Sequence, residues 1–83
     1  MPYHKNKQQA FQAAEQGMEQ ARDIYQQLDP SSSEYGHYLQ RLKQEIDETE
    51  QQLENAHEVA SETQRKQLEN YQAEIDTMKQ NLE

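Results

Sequence analysis

Apolar residues recur at alternating steps of three and four positions along three separate stretches of this chain. This spacing keeps apolar side chains on one face of a helix and is typical of helices that pack against a neighbouring helix. The pattern therefore predicts three amphipathic helices. The apolar face of the first comprises Phe11, Ala14, Met18, Ala21, Tyr25 and Leu28, widened by Ala10, Gly17 and Ile24; that of the second comprises Tyr35, Leu39, Leu42, Ile46, Thr49, Leu53, Ala56 and Ala60; that of the third comprises Leu68, Tyr71, Ile75, Met78 and Leu82.

The first helix boundary lies at Asp29 and Pro30. Proline disfavours helical backbone at the residue before it and has no N–H to donate. We therefore expect a flexible arm over residues 1–6 and a first helix over residues 7–28. The second helix has two possible starts: Asp29 as N-cap with Pro30 at the first position, or Ser31 as N-cap with Glu34 completing a capping box.

The second boundary is predicted near Ser61, although neither glycine nor proline occurs there. Ser61 and Gln64 form a second capping-box pattern. The apolar spacing also slips by one residue, because the step after Ala60 falls on Gln67 whereas the apolar residue is Leu68. Both observations favour a turn, with helices over residues 31–59 and 62–82.

The predicted fold is all-α, a small antiparallel three-helix bundle formed by one domain over residues 1–83. Short connections between amphipathic helices place consecutive helices side by side and antiparallel. The alternative is a continuous helix over residues 31–82, which would give a long helical hairpin whose apolar face is completed by dimerisation.

The composition argues against several classes of function. Sixteen acidic and eight basic residues give a net charge of −8, which repels nucleic-acid phosphates and anionic lipids. The chain has no cysteine, so it has no disulfide, thiolate metal site or thiol nucleophile. It also shows no apolar stretch of the length that a membrane span requires. We expect no nucleic-acid partner, no membrane association and a cytoplasmic location.

Two Glu-x-x-His pairs are the nearest approach to a catalytic motif, Glu34 with His37 and Glu54 with His57. Di-iron bundles use this element twice. Here the copies are separated by about 30 Å along one predicted helix and lie mostly outside its apolar face. We therefore expect no metal, no other cofactor, no catalytic residue and no enzymatic activity; a metal- or ligand-binding bundle built on these pairs is retained as an alternative.

The acidic stretch Glu45 to Glu54 is distributed around the second helix, which is typical of a solvated surface. The aromatic residues are more informative, because the chain has five tyrosines and one phenylalanine. Tyrosine is enriched at protein interfaces. Tyr35, Tyr38 and Leu39, near the start of the second helix, are therefore predicted to form an interaction patch.

The order of segments also resembles a known family. A first helix rich in glutamine and glutamate precedes an acidic helix that ends near Glu54 to His57, and the chain then restarts with Ser61-Glu62-Thr63-Gln64-Arg65-Lys66-Gln67-Leu68. Over residues from about 10 to 82 this arrangement resembles the YtzC-type family of small uncharacterised Bacillus proteins. The resemblance implies a soluble helical protein of a spore-forming bacterium and assigns no functional residues.

Together these features predict a non-enzymatic helical bundle that binds an unknown protein partner through one helix face. A homo-oligomeric scaffold is the alternative, because a second copy could complete apolar faces that contain the polar Thr49.

Overall fold

Residues 7–82 are described by the computed structural model. They form three helices: α1 spans Lys7–Gln27, α2 spans Tyr35–Val59 and α3 spans Glu62–Leu82. The predicted fold class is confirmed as an all-α three-helix bundle, with principal dimensions of 48 × 28 × 17 Å. The predicted flexible arm over residues 1–6 lies outside the described residues.

The helices run up, down and up. Contacts between α1 and α3 pair early residues with early residues and late with late, since Phe11 faces Tyr71 and Tyr25 binds Asn81. These two helices are therefore parallel, and α2 is antiparallel to both. The most extensive contact is between α1 and α2, whereas α3 packs mainly on α2 and less on α1.

The turn between α2 and α3 confirms the predicted capping box. Ser61 Oγ accepts the backbone N–H of Gln64 at 3.3 Å, and Gln64 Oε1 accepts the backbone N–H of Ser61 at 3.1 Å. Ala60 has extended backbone, with φ −76° and ψ 147°. The alternative of one continuous helix over residues 31–82 is therefore wrong, because the chain bends at Ala60 and Ser61.

The predicted start of α2 is wrong by four residues. Asp29 Oδ1 accepts hydrogen bonds from the backbone N–H and the hydroxyl of Ser31, and Ser32 Oγ accepts the backbone N–H of Glu34. These local bonds hold residues 29–34 in turns, since short polar side chains compete with helix for backbone groups. Neither Asp29 nor Ser31 is the N-cap; Glu34 occupies that position without a side-chain cap, and α2 begins at Tyr35.

One apolar core cluster is shared by all three helices. Its α1 members are mostly small, which brings the backbone of α1 close to the larger side chains of α2. The buried residues are Ala10, Ala14, Met18, Ala21 and Ile24 from α1, Leu42, Ile46, Leu53 and Ala56 from α2, and Leu68, Ile75 and Met78 from α3. The predicted apolar faces thus supply the core, and Thr49, only 1% exposed, is buried with them.

α1 and α2 approach each other closely at Gly17 and Thr49. A Cβ at Gly17 would lie 2.6 Å from Thr49 Oγ1 and 3.2 Å from Thr49 Cβ and Cγ2. The threonine side chain therefore occupies the space that any larger residue at position 17 requires. Thr49 Oγ1 is buried and has no hydrogen-bond partner among the described residues, so the close packing also isolates a hydroxyl from water.

The effect of Gly17→Ala on the free energy of unfolding should depend on the residue at position 49. With Thr49 present, overpacking of about 1–3 kcal/mol outweighs the gain of about 1 kcal/mol from replacing a helical glycine, so the free energy of unfolding falls. In a Thr49→Ala background the hydroxyl and methyl are gone and the Cβ contact at 3.2 Å remains, so the same substitution should lower the free energy of unfolding much less. Urea denaturation of the four proteins, followed by circular dichroism, measures this cycle; a loss of equal size in both backgrounds would contradict the contact.

Candidate interaction surfaces

The two Glu-x-x-His pairs lie on the surface. Glu34, His37, Glu54 and His57 are all exposed, and the pairs are near opposite ends of α2. Within residues 7–82, no group of three or more histidine, cysteine or acidic side chains is arranged to hold a metal ion. The structure thus keeps the two pairs apart instead of assembling them into one site.

Two tyrosines connect α1 to α3. Tyr71 packs against Phe11 with ring centroids 6.4 Å apart, and its hydroxyl donates to Glu15 at 3.2 Å. The hydroxyl of Tyr25 accepts a hydrogen bond of 2.7 Å from the amide of Asn81. Both side chains pack against the core cluster, so these tyrosines have structural partners at both their apolar and their polar ends.

An ion pair reinforces the same contact. The guanidinium of Arg22 binds the carboxylate of Glu74 through two hydrogen bonds, from Nε to Oε2 and from Nη2 to Oε1, the latter of 2.8 Å. The Arg22 guanidinium also lies 5.8 Å from the centre of the Tyr71 ring, within range of a cation–π interaction. The hydrogen bond from Arg22 lowers the pKa of Glu74, and the hydrogen bond to Glu74 raises the pKa of Arg22.

Tyr35, Tyr38 and Leu39 have a different environment, and we call them the tyrosine surface. All three are half-buried, yet none belongs to the core cluster or to the half-buried residues packed against it. The core of α2 begins instead at Leu42, so assigning Tyr35 and Leu39 to the packed face was wrong. Apolar spacing shows which side of α2 is apolar, and it does not show which turns of that side another helix covers.

The hydroxyls of the tyrosine surface also differ from those of Tyr25 and Tyr71. Within the described chain, the hydroxyls of Tyr35 and Tyr38 make no hydrogen bond to another residue. The one aromatic ring paired with that of Tyr38 there is His37, with centroids 6.0 Å apart. Tyr35 and Tyr38 thus present both ring surface and free hydroxyls at one end of the bundle.

A groove between α2 and α3 was not anticipated, and we call it the acidic groove. It has a volume of about 560 Å³. Leu53 and Leu68 form its floor, and its walls carry Glu50, Glu54, His57 and Glu58 from α2 with Glu69 and Gln72 from α3. The acidic residues of α2 are therefore not only a solvated surface, because three of them line one groove.

Among residues 7–82, side chains neutralise only one end of the acidic groove. Glu50 accepts hydrogen bonds from the Lys79 ammonium at 3.2 and 3.3 Å and from the Gln72 amide at 3.1 Å. Glu54, Glu58 and Glu69 form no ion pair with any described residue. The hydrogen bonds and charge of Glu50 raise the pKa of Lys79. The signal missed in the sequence is the spacing of Glu50, Glu54 and Glu58, four residues apart on one edge of a helix.

None of the helices over residues 7–82 has the length and apolar character needed to cross a membrane. Comparisons with protein-family models, with curated proteins and with solved structures found no match. The resemblance to the YtzC-type family therefore stays a prediction.

The Arg22 and Glu74 ion pair should make the free energy of unfolding fall as the pH is lowered through the acid range. The pKa of Glu74 is lowered by folding, so the pair stabilises the protein above the pKa of the unfolded carboxyl, about 4.3, and this contribution is lost as pH falls through the lower pKa of the folded state. Because the side chains are 43% and 36% exposed, we expect the ion pair to contribute at most about 1 kcal/mol to the free energy of unfolding at neutral pH. Glu74→Gln should be less stable than wild type there and approach it in acid.

Thermal and urea unfolding from neutral pH to below the usual carboxyl range would measure this difference. Asp23→Asn provides a matched control on α1, because Asp23 is exposed and forms no ion pair within the described chain. A wild-type to Glu74→Gln difference that stays constant with pH would contradict a stabilising role for the ionised pair.

Proposed function

We propose that this chain is a non-enzymatic interaction protein, a three-helix bundle that presents the start of α2 to a protein partner. The observation that carries the proposal is the position of the tyrosine surface. Tyr35, Tyr38 and Leu39 are half-buried and lie outside the core cluster and the residues packed against it. Aromatic side chains with an apolar body and a free polar end are enriched at interfaces.

The buried core favours a partner protein of a different sequence over a second copy of this chain. Leu42, Ile46, Leu53, Leu68 and Ile75 are at most 3% exposed within a single chain. Their apolar area is already removed from water, so a second copy is not needed to bury it. Thr49, whose polarity favoured a shared core, packs against Gly17 of the same chain.

Sedimentation equilibrium over a wide concentration range, with circular dichroism on the same samples, tests the self-contained bundle. We expect a monomer whose helicity does not change on dilution, because one chain completes the core. A dimer that loses helicity as it dissociates would instead favour the homo-oligomeric scaffold, since its core would then be shared between copies.

Site-specific photo-cross-linking in the native host tests the surface itself. A photoreactive phenylalanine in place of Tyr38 should cross-link one protein, and Leu39→Ser should remove that product, because the contact depends on the neighbouring apolar side chain. The same probe in place of Asn70, an exposed residue of α3, is the matched control. Equal products from both positions, or a product unaffected by Leu39→Ser, would contradict the proposal.

A further inference from the structure

The acidic groove has a regular arrangement of charge. Glu50, Glu54 and Glu58 follow one another along one wall at intervals of four residues, which corresponds to about 6 Å of helix rise per step. Glu69 contributes a carboxylate from the opposite wall. A ligand in the groove would therefore meet negative charge from two helices at a spacing that matches one helical turn.

This arrangement has an energetic cost for the isolated chain. Like charges four residues apart on a helix repel each other by a few tenths of a kcal/mol per pair. Lys79 relieves the repulsion only at Glu50, whereas Arg65, one turn before Glu69 on α3, is exposed and forms no ion pair within the described residues. Cations supplied from outside would relieve the repulsion at Glu54, Glu58 and Glu69.

The chain itself shows the kind of group that fits. At Glu50, a long aliphatic side chain brings its ammonium across from α3, with Nζ 3.2 Å from Oε1. The floor at Leu53 and Leu68 is apolar, and the stems of long basic side chains pack well on apolar surface while their charged ends stay in water. Glu54, Glu58 and Glu69 offer carboxylates like that of Glu50 and have no ion-pair partner among the described residues.

We propose that the acidic groove binds an arginine-bearing helix of a partner protein, with guanidinium groups on Glu54, Glu58 and Glu69 and aliphatic stems over Leu53 and Leu68. Charge complementarity identifies the occupant as basic, and arginines four residues apart on a helix match the rise of about 6 Å between successive carboxylates. Arginine suits the site better than lysine, because its planar fork binds a carboxylate through two parallel hydrogen bonds. The groove deepens the interaction role proposed above and rests on it, but it uses a different surface.

Fluorescence anisotropy with a labelled alanine-rich peptide tests the proposal. The peptide carries arginines four residues apart on one face, and a second peptide of identical composition distributes them around the helix. The full-length protein should bind the first peptide more tightly. Neutralising the groove with Glu54→Gln, Glu58→Gln and Glu69→Gln together should weaken binding by about tenfold, as expected for the loss of three solvent-exposed charge pairs.

A charge-matched variant separates the groove from the overall field of an acidic protein. Glu19→Gln, Asp23→Asn and Glu48→Gln together remove the same charge from exposed positions outside the groove, and they should weaken binding much less. Equal weakening by both variants, or equal affinity for both peptides, would overturn the proposal. Circular dichroism confirms that each variant is folded, which we expect because the groove substitutions remove repulsion.

Different results would overturn the tyrosine-surface proposal and the acidic-groove proposal. Tyr38→Ala should leave peptide binding unchanged, because the tyrosine surface lies outside the acidic groove. If the peptide does not bind while the Tyr38 cross-link forms, the groove proposal alone is overturned. If Tyr38→Ala abolishes peptide binding, the peptide occupies the tyrosine surface and the assignment to the groove is wrong.

Discussion

The packing of α1 against α2 through small residues determines the rest of this structure. Ala10, Ala14, Gly17 and Ala21 allow the backbone of α1 to approach the side chains of α2. Close approach compensates for a small apolar content, because each buried side chain makes many short contacts although few such side chains are available. The same closeness isolates the Thr49 hydroxyl, which among the described residues is the one buried side-chain polar atom without a hydrogen-bond partner.

The third helix is positioned by a different kind of interaction. Its apolar residues join the core, but its contact with α1 is narrow and is bordered by polar groups that fix its position. Arg22 contacts both Glu74 and the ring of Tyr71, and Tyr25 binds Asn81. Packing alone permits a helix to slide along its neighbours, whereas these directional contacts are satisfied in one register. Polar residues at the border of the core therefore help to define the position of α3 along α1, which the few apolar residues define less sharply.

The fold was predictable because local signals and long-range packing agree. The apolar spacing identified the core positions from Ala10 to Met78, and the Ser61 capping box marked a turn without glycine or proline. The start of α2 was not predictable from the same rules, since Asp29 and Ser32 use their side chains in turns instead of a helix cap. Periodicity also assigned Tyr35 and Leu39 to a packed face, because it reports which side of a helix is apolar and not which turns of that side are covered.

The acidic groove also could not be predicted from the pattern of a single helix. The spacing of Glu50, Glu54 and Glu58 was visible, but only the packing of α3 on α2 brings Glu69 and Gln72 to the facing wall. Which side chains share a groove depends on the rotation of two helices about their axes, and that rotation is set by the buried residues between them. A surface of this kind is therefore a property of the pair of helices and not of either one.

The order of the helices also has a consequence for the rate of folding. The most extensive contacts join α1 to α2 and then α2 to α3, so each docking step closes only a short connection. Chains dominated by contacts between consecutive helices fold in about microseconds to milliseconds, because little loop entropy is lost before contacts form. The sparse contact between the first and last helices thus keeps most native contacts between neighbours in the sequence, which favours rapid folding.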